Sequence, residues 1–446
     1  MAQKKISICG AGLVGSLLAI YLGKRGHQVE LFERRPDMRA NLIDGGRSIN
    51  LAMSNRGWKA LDGVGVGEEI RKISIPMYRR VMHDKEGNLS FQAYGKEGQA
   101  IYSVSRAGLN ARLMDLAEST GNANINFNEK CSSVDFDTAS ASFTNYETGE
   151  SKTIESDLVF GTDGAFSAVR GAFQKTDRFN YAQEYIEHGY KELSIPPNED
   201  GSHKMEKEAL HIWPRGNYML IALPNPDGSF TCTLFFPFEG KPSFSQLDST
   251  EKARKFFEEE FSDALELMPD FNKEWEENPT SSLVIIRCYP WVKNNKISIL
   301  GDASHAIVPF YGQGMNSGFE DCTILEELLS EHGENWDLVL DKFQKSRKPN
   351  ADAIADLAMR NFVEMRDLTA DPDFLLRKKI ENRFYSKYPE KWMPLYSMVT
   401  FSHIPYSEAL KEGLRQDEIM EKIMAIPDIE NKWDSMEVEE MMIKLC

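Results

Sequence analysis

The sequence predicts an α/β protein: a Rossmann-like dinucleotide-binding domain, an antiparallel-sheet domain inserted into it, and a C-terminal helical region. Three observations carry that expectation. The opening stretch "KKISICGAGLVGSLLAIYLGKRGHQVELFERR" runs strand, glycine turn, helix and strand within about thirty residues, the span of one right-handed βαβ unit. Residues 188–239 hold β-prone runs separated by "RGN" and "PDGS", turns of the kind that join antiparallel strands. From about position 323 the pattern is almost wholly helical.

Taken in order, the first strand is the apolar run before Gly10, and the helix after it closes at Gly26. "HQVELFERR" is the second strand. Helical spacing follows over 54–62, 67–73 and 106–118, and "LVFGTDG" near 158–163 is a further strand. "HGYKELSIPP", "ALHIWP", "YMLIALPN" and "FTCTLFFPF" build the inserted sheet. A charged helix over 249–268 has Ser249 as its N-cap. "SLVIIRCYP" and "KISILGD" then resume parallel-strand grammar, and the last forty or so residues read as a helical tail packed on the surface. The expected division is residues 1–75, 104–180 and 290–380 for the dinucleotide domain, 76–103 and 181–289 for the sheet domain, and 381–446 for the helical region.

Bulk composition narrows the function. A chain of 446 residues exceeds one ordinary core and can enclose a large ligand. The formal charge of −17 argues against nucleic acid, which needs a basic stripe. Cys9, Cys131, Cys232, Cys288, Cys322 and Cys446 form no CxxC pair, so neither a zinc site nor a disulfide framework is expected, and a reducing cytoplasm fits. No secretory signal and no apolar run of membrane-spanning length is present in the sequence.

Gly10, Gly12 and Gly15 make GxGxxG between a strand and a helix. Glycine suits a backbone that must approach a pyrophosphate over a helix N-terminus. Glu33, ending the second strand, can accept from both ribose hydroxyls and repels a 2′-phosphate, so FAD or NAD fits and NADP fits poorly. The competing reading is a tight βα turn whose glycines serve packing alone. "GVGVGEE" (63–69) also contains GxG, but it follows a helix and reads as a helix–helix turn.

A second glycine turn, "GDASHAIVPFYGQGMNSGFED" (301–321), separates FAD from NAD. FAD is about twice the length of one ADP cradle and needs a second surface. Asp302 can hold ribityl hydroxyls, and the amides of Gly314, Met315 and Asn316 at a helix start can face the flavin's pyrimidine edge, which turns negative on reduction. Asp163, in "FGTDGAFSAVR", and Arg106, in "SVSRAGLNARL", fit the same purpose; singly, each reads equally as a helix cap and a surface charge.

In this order, GxGxxG with Glu33, Arg106-x-x-Leu109, "GTDG" and "GDASH…P…GQG-N" closely resemble the single-component FAD-dependent aromatic hydroxylases, over nearly the whole chain. "GRSINLAMSNRG", "HGYKEL", "LHIWPRGNYMLIALPN", "SFTCTLF", "HAIVPFYGQGMN" and "YSMVTFSHIPY" are similar to the branch of that family that hydroxylates kynurenine. The resemblance implies a Rossmann-like FAD-binding domain with cofactor contacts extending to Leu13, Val14, Arg34, Ala52 and Cys131. It also implies NADPH and O₂ as co-substrates, with no separate NADPH domain. The implied reaction is hydroxylation of L-kynurenine to 3-hydroxy-L-kynurenine through a flavin C4a-hydroperoxide, a step of tryptophan degradation toward quinolinate and NAD. No side chain is then required as nucleophile or base. The alternative within the family is a hydroxylase of a phenolic acid; outside it stand an NAD dehydrogenase and a flavin-binding protein without turnover.

For the substrate, Arg79 and Arg80 lie on one strand and point to opposite faces. The resemblance selects Arg80 for the carboxylate, with Tyr94 as hydroxyl partner; the bland reading of each is a rim residue. Asn361 falls within the apolar stripe Ile354, Leu357, Ala358 and Met365, and a buried amide must find a partner, either a neighbouring helix or the ligand. The resemblance favours the ligand, together with Tyr396. The ring would lie against Leu210, Ile221, Leu223, Phe235, Pro309 and Phe310, which read equally as plain core. Tyr311 stands beside the flavin where relatives vary. Eukaryotic relatives carry a hydrophobic C-terminal anchor, and the absence of one here points to a soluble, bacterial form. Nothing in the sequence sets the oligomeric state.

Overall fold

A computed structural model describes residues 3–40, 50–368 and 371–446; part of the "GRSINLAMSNRG" stretch, residues 46–49, lies outside them. At its centre is a six-stranded sheet in the order β18-β19-β12-β1-β2-β8. Its members are β1 (Lys5–Cys9), β2 (Gln28–Phe32), β8 (Ala123–Asn126), β12 (Leu158–Gly161), β18 (Val292–Lys293) and β19 (Ile297–Ile299). All pairs are parallel except β18 with β19. Ile6, Ser7, Ile8 and Cys9 are fully buried, as a central parallel strand covered on both faces should be. Helix α1 (Leu13–Lys24) packs against α4 (Arg106–Ser119) and α10 (Gly314–His332).

A seven-stranded sheet, β17-β13-β16-β15-β14-β5-β6, forms the second layer. It contains β5 (Arg79–His83), β6 (Leu89–Ala93), β13 (Asn180–Ile195), β14 (Ala209–Pro214), β15 (Met219–Pro224), β16 (Phe230–Pro237) and β17 (Thr280–Tyr289). Two sequence expectations are corrected here. The "SLVIIRCYP" strand does not join the parallel sheet: β17 pairs antiparallel with β13 over 180–185 and 189–191, because the sixteen-residue β13 runs well beyond its other partner, β16, and offers a free edge. The sheet is also mixed, since β14 runs parallel to β5, which arrives from a segment more than a hundred residues earlier.

Two smaller sheets complete the strands: β3 (Asn50–Met53), β4 (Ile75–Met77) and β7 (Ile101–Ser105) in the order β3-β7-β4, and β9 (Glu129–Asp135), β10 (Ser140–Asn145) and β11 (Ser151–Glu155) in the order β11-β10-β9. The first lies across positions 75/76 and 103/104. Helices α2 (Asn55–Gly63) and α3 (Gly67–Lys72) flank the glycine turn at 64–66, and α5 (Ala168–Phe173) follows β12.

The helix expected over 249–268 is two, α6 (Thr250–Glu260) and α7 (Ser262–Glu266), broken where Phe261 leaves helical geometry at φ −139° and ψ 42° and buries its ring. Ser249 caps the first by accepting from the Lys252 amide at 3.3 Å. With α8 (Phe271–Glu277) they cover one face of the seven-stranded sheet through Leu220, Phe236, Phe257 and Trp275. After α9 (Asp302–His305) and α10 come α11 (Trp336–Val363), α12 (Pro372–Lys387), α13 (Leu395–Thr400), α14 (Tyr406–Met424), α15 (Ile429–Lys432) and α16 (Met436–Leu445). The tail has its own core, including Phe384, Trp392, Met420, Ile423 and Met442. Among the described residues no helix is long and apolar enough to cross a membrane.

Candidate functional site

Three glycine-bearing turns meet at the carboxyl ends of β1, β12 and β19, where open α/β sheets bind ligands. Thr162 Oγ1 donates to the Gly10 carbonyl at 2.8 Å and the Cys9 carbonyl at 3.1 Å, joining the first turn to the "GTDG" turn. Val14 packs so closely on Gly301 and Gly318 that a Cβ there would sit 3.0 and 2.6 Å from its Cγ2. Gly10 adopts φ +100°, and a Cβ on Gly15 would lie 2.0 Å from the Gly10 oxygen, so both must be glycine for the turn to close. Gly12 differs: a Cβ there would meet no protein atom within 4 Å. That open face, over helix amides of Gly12 to Gly15 with no backbone acceptor among the described residues, suits a pyrophosphate.

Around this cradle, Glu33 is buried and already engaged, accepting from the Ala11 amide at 3.1 Å and from Arg35 Nε at 2.9 Å. Arg34 is exposed. Cys131 is buried beside Cys9, whose thiol is pushed up in pKa first by its hydrogen bond with Cys131 and then by burial. Asp302 is exposed at the start of α9, free to accept hydroxyls, and Arg106 is exposed at the start of α4. The amides of Gly314, Met315 and Asn316 have no acceptor among the described residues. The Asn316 side chain is committed elsewhere: it donates to the Ala52 carbonyl at 2.8 Å and the Gly312 carbonyl at 2.7 Å, and accepts from the Ser54 amide at 2.9 Å. Asp163 caps α5, taking the Ala168 amide at 2.7 Å and the Ser167 hydroxyl at 2.5 Å, while burial raises its carboxyl pKa. The cradle therefore fits an extended dinucleotide with a second, flavin-like half.

Beyond the second turn, the inner face of the seven-stranded sheet carries an apolar cluster that includes Tyr94, Leu210, Leu223, Phe235, Phe310 and Tyr311. Strand register puts Arg80 opposite Leu210, Met82 opposite Ile212, and Ile221 and Phe235 on the same face, while Arg79, His211 and Trp213 face away. Arg79 is accordingly at the surface, paired with Glu206 at 2.7 Å. Arg80 is 7% exposed and forms no ion pair among the described residues. Its Nη1 reaches Gln92 Oε1 at 3.4 Å; its Nε and the buried Tyr94 hydroxyl have no hydrogen-bond partner within normal geometry among the described residues. The guanidinium lies beside the stacked rings of Tyr94 and Tyr396, 5.1 and 4.9 Å from their centroids, and Tyr396 stacks on both Tyr94 and Tyr311. Burial pushes the pKa of all three phenols up, so they stay neutral donors.

Asn361 is buried and donates to the Phe310 carbonyl at 2.6 Å, so its amide partner is a turn of this chain rather than another helix. Phe310 stacks on Phe362 at 4.0 Å and meets Phe235 edge-on at 4.9 Å. Leu210, Leu223, Phe235 and Phe310 are buried, Ile221 is half-buried, and Pro309 is exposed. Gln92 and Phe362 were not singled out from sequence. The signals were there: Gln92 precedes Tyr94 by two in an extended segment, and Phe362 adjoins Asn361.

A family model described as FAD binding domain matches residues 3–358. The chain is 54% identical over 443 residues to a protein named kynurenine 3-monooxygenase from Christiangramia forsetii, covering 99% of each. It is 44% identical over 437 residues to one of the same name from Dictyostelium discoideum, covering 95% of this chain and 94% of that one. The chain belongs to the kynurenine 3-monooxygenase family. Its six-stranded sheet and glycine turns are those of the FAD-binding domain. This kynurenine 3-monooxygenase fold is shared by solved structures of much lower identity. 2-Methyl-3-hydroxypyridine-5-carboxylic acid oxygenase matches with TM-score 0.69 at 19% identity, over 86% of this chain and 97% of that one. p-Nitrophenol 4-monooxygenase from Pseudomonas putida matches with TM-score 0.64 at 17% identity, over 94% and 97%.

Proposed function

We propose that the chain hydroxylates L-kynurenine to 3-hydroxy-L-kynurenine, with FAD bound and NADPH and O₂ consumed. The observation that carries this is the buried Arg80 guanidinium, without an ion pair among the described residues and beside a Tyr94 hydroxyl that lacks a hydrogen-bond partner there. A buried cation without a carboxylate is costly, and a ligand carboxylate is what would satisfy it. Its neighbours suit an aromatic amino acid: the stacked rings of Tyr94 and Tyr396 beside it, and an apolar sheet face running from Leu210 to Phe235.

FAD, when bound, accepts a hydride from NADPH and activates dioxygen for transfer to the ring. Gly12 and the α1 amides would take its pyrophosphate, Glu33 its ribose, Asp302 its ribityl hydroxyls, and the amides of Gly314 to Asn316 its pyrimidine edge. The rest is positioning. Arg80 and Tyr94 grip the carboxylate end, Asn361 fixes the Pro309–Tyr311 turn through the Phe310 carbonyl, and Phe235, Phe310 and Leu223 keep water from the reacting centre. The same reading assigns residues 1–75, 104–180 and 290–380 to the cofactor, 76–103 and 181–289 to the substrate, and 381–446 to the tail. The test is NADPH consumption by the FAD-loaded chain with and without L-kynurenine, with the product identified by mass spectrometry. Stimulated consumption with 3-hydroxykynurenine is expected. Hydroxylation of a phenolic acid in its place, or hydrogen peroxide as the sole product, would overturn the reading.

A further inference from the structure

A chain of buried charges links the α10 helix to the segment that closes the substrate pocket. Arg56, on α2, is 1% exposed. Its Nη1 donates to Glu320 on α10, its Nη2 to the Ile404 carbonyl and its Nε to the Val399 carbonyl at 3.4 Å. Its guanidinium also lies 3.9 Å over the Tyr406 ring. The adjacent Asn55 donates to the Phe401 carbonyl at 2.9 Å. Two residues of α2 thus hold three carbonyls within 399–404, the last turn of α13 and the segment that follows it. Helix α13 carries Tyr396, one of the two rings against Arg80.

On the other side the chain continues into the cofactor cradle. Glu320 also accepts from Arg347 at 2.5 Å, and Arg347 Nε donates to Asp321 at 2.7 Å. The second Asp321 oxygen accepts from the Gly301 amide at 2.9 Å and pairs with His305 Nε2 at 2.6 Å, so it holds the turn that presents Asp302. Asp321 stays ionised at a pKa of about 2: burial opposes its charge, but His305 and Arg347 outweigh that. A second tether runs alongside, from the Tyr406 hydroxyl to Gln313 Oε1 at 2.9 Å, one residue before the flavin-facing amides. Buried ion pairs contribute little net stability compared with apolar packing, so a paired set at this junction acts through geometry.

We propose that Arg56 is a positioning residue for the hydroxylation: it registers α13 and its Tyr396 against the flavin-facing helix α10. It touches neither substrate nor cofactor, and the inference rests on the functional reading above for what Tyr396 positions. Lysine in its place keeps the charge but cannot bridge a carboxylate and two carbonyls in one plane.

The test uses FAD-loaded Arg56→Lys and Tyr406→Phe. The second removes one hydroxyl and keeps the ring, so it holds its fold if the first does not. For Arg56→Lys the KM for L-kynurenine is expected to rise about tenfold while kcat stays within about twofold, the signature of lost ground-state positioning. Tyr406→Phe should shift KM the same way by about threefold, the loss of one net hydrogen bond. An unchanged KM in both variants, or a fall in kcat and thermal midpoint without a change in KM, overturns the proposal. If the unmodified chain fails to respond to kynurenine, the functional reading falls separately. Amide hydrogen exchange then decides the inference: faster exchange over 395–406 with 13–24 unchanged supports it, and wild-type exchange over 395–406 in both variants overturns it.

Discussion

On the face of the seven-stranded sheet away from Arg80, a buried histidine, His211, makes the stability of the fold sensitive to mild acid. His211 Nε2 lies 2.9 Å from the Glu206 carbonyl, which can only accept, so that nitrogen carries a proton and Nδ1 is the acceptor. His83 Nε2 donates to it at 2.9 Å, and His83 Nδ1 faces Asp263 Oδ2 at 2.8 Å. Trp213 Nε1 completes the set by donating to Asp263 at 2.9 Å, which ties α7 to β5 and β14. Burial pushes His211 down from 6.5 to about 4; the Glu206 carbonyl opposes this, and His83 adds to it. As pH falls, the unfolded chain therefore takes up this proton first, and stability drains away between pH 6.5 and about 4. At pH 5 the unfolded imidazole is almost fully protonated and the folded one about a tenth, so moving from pH 7 to 5 costs about 2 kcal/mol at this site. Urea unfolding of the FAD-saturated chain, followed by tryptophan fluorescence at both pH values, measures it. His211→Asn keeps an acceptor for His83 but has nothing to titrate, so its loss over this interval should be smaller by about 2 kcal/mol. The same pH dependence in both proteins would refute the assignment of protons along the chain.

Three further outcomes test the cofactor and substrate sites. Gly12→Val should fold, since the backbone there is extended and a Cβ meets nothing, yet lose FAD retention on gel filtration; Gly15→Ala should instead lower stability by about 2 kcal/mol through the clash with the Gly10 carbonyl. Arg80→Met should leave flavin content intact and raise the KM for L-kynurenine by about a hundredfold, as expected when a buried partner of a carboxylate is lost. Asp302→Asn should weaken FAD binding by about tenfold in a fluorescence titration while leaving the thermal midpoint of the flavin-free chain unchanged, because its carboxylate is exposed and makes no side-chain hydrogen bond or ion pair among the described residues.

Much of the cofactor site was legible in the sequence because its chemistry is local. A strand, a glycine pattern and a helix within a few residues set the backbone at Gly10 and Gly15 and leave Gly12 open. The period of two along 79–80 likewise put the two arginines on opposite faces, and the tertiary structure buries Arg80 and leaves Arg79 at the surface. Spacing within a segment sets which face a side chain takes. It does not set what that face will meet. The antiparallel docking of β17, the parallel pair of β14 with β5 and the break at Phe261 each depend on residues far away in the chain. So does the use of shared polar groups. Asp163 could cap a helix or face a ligand, and the nearby Ser167 and Ala168 engage it; the Asn316 side chain is engaged by Ala52 on β3 and by the Ser54 amide just beyond it. The clamp of Arg56 on carbonyls nearly 350 residues onward exists only once the tail has docked. Local spacing alone determined the two glycine turns and that Arg79 and Arg80 take opposite sides of their strand. Only the tertiary structure, by bringing distant donors and acceptors into one desolvated place, decided which polar groups remain open for a ligand.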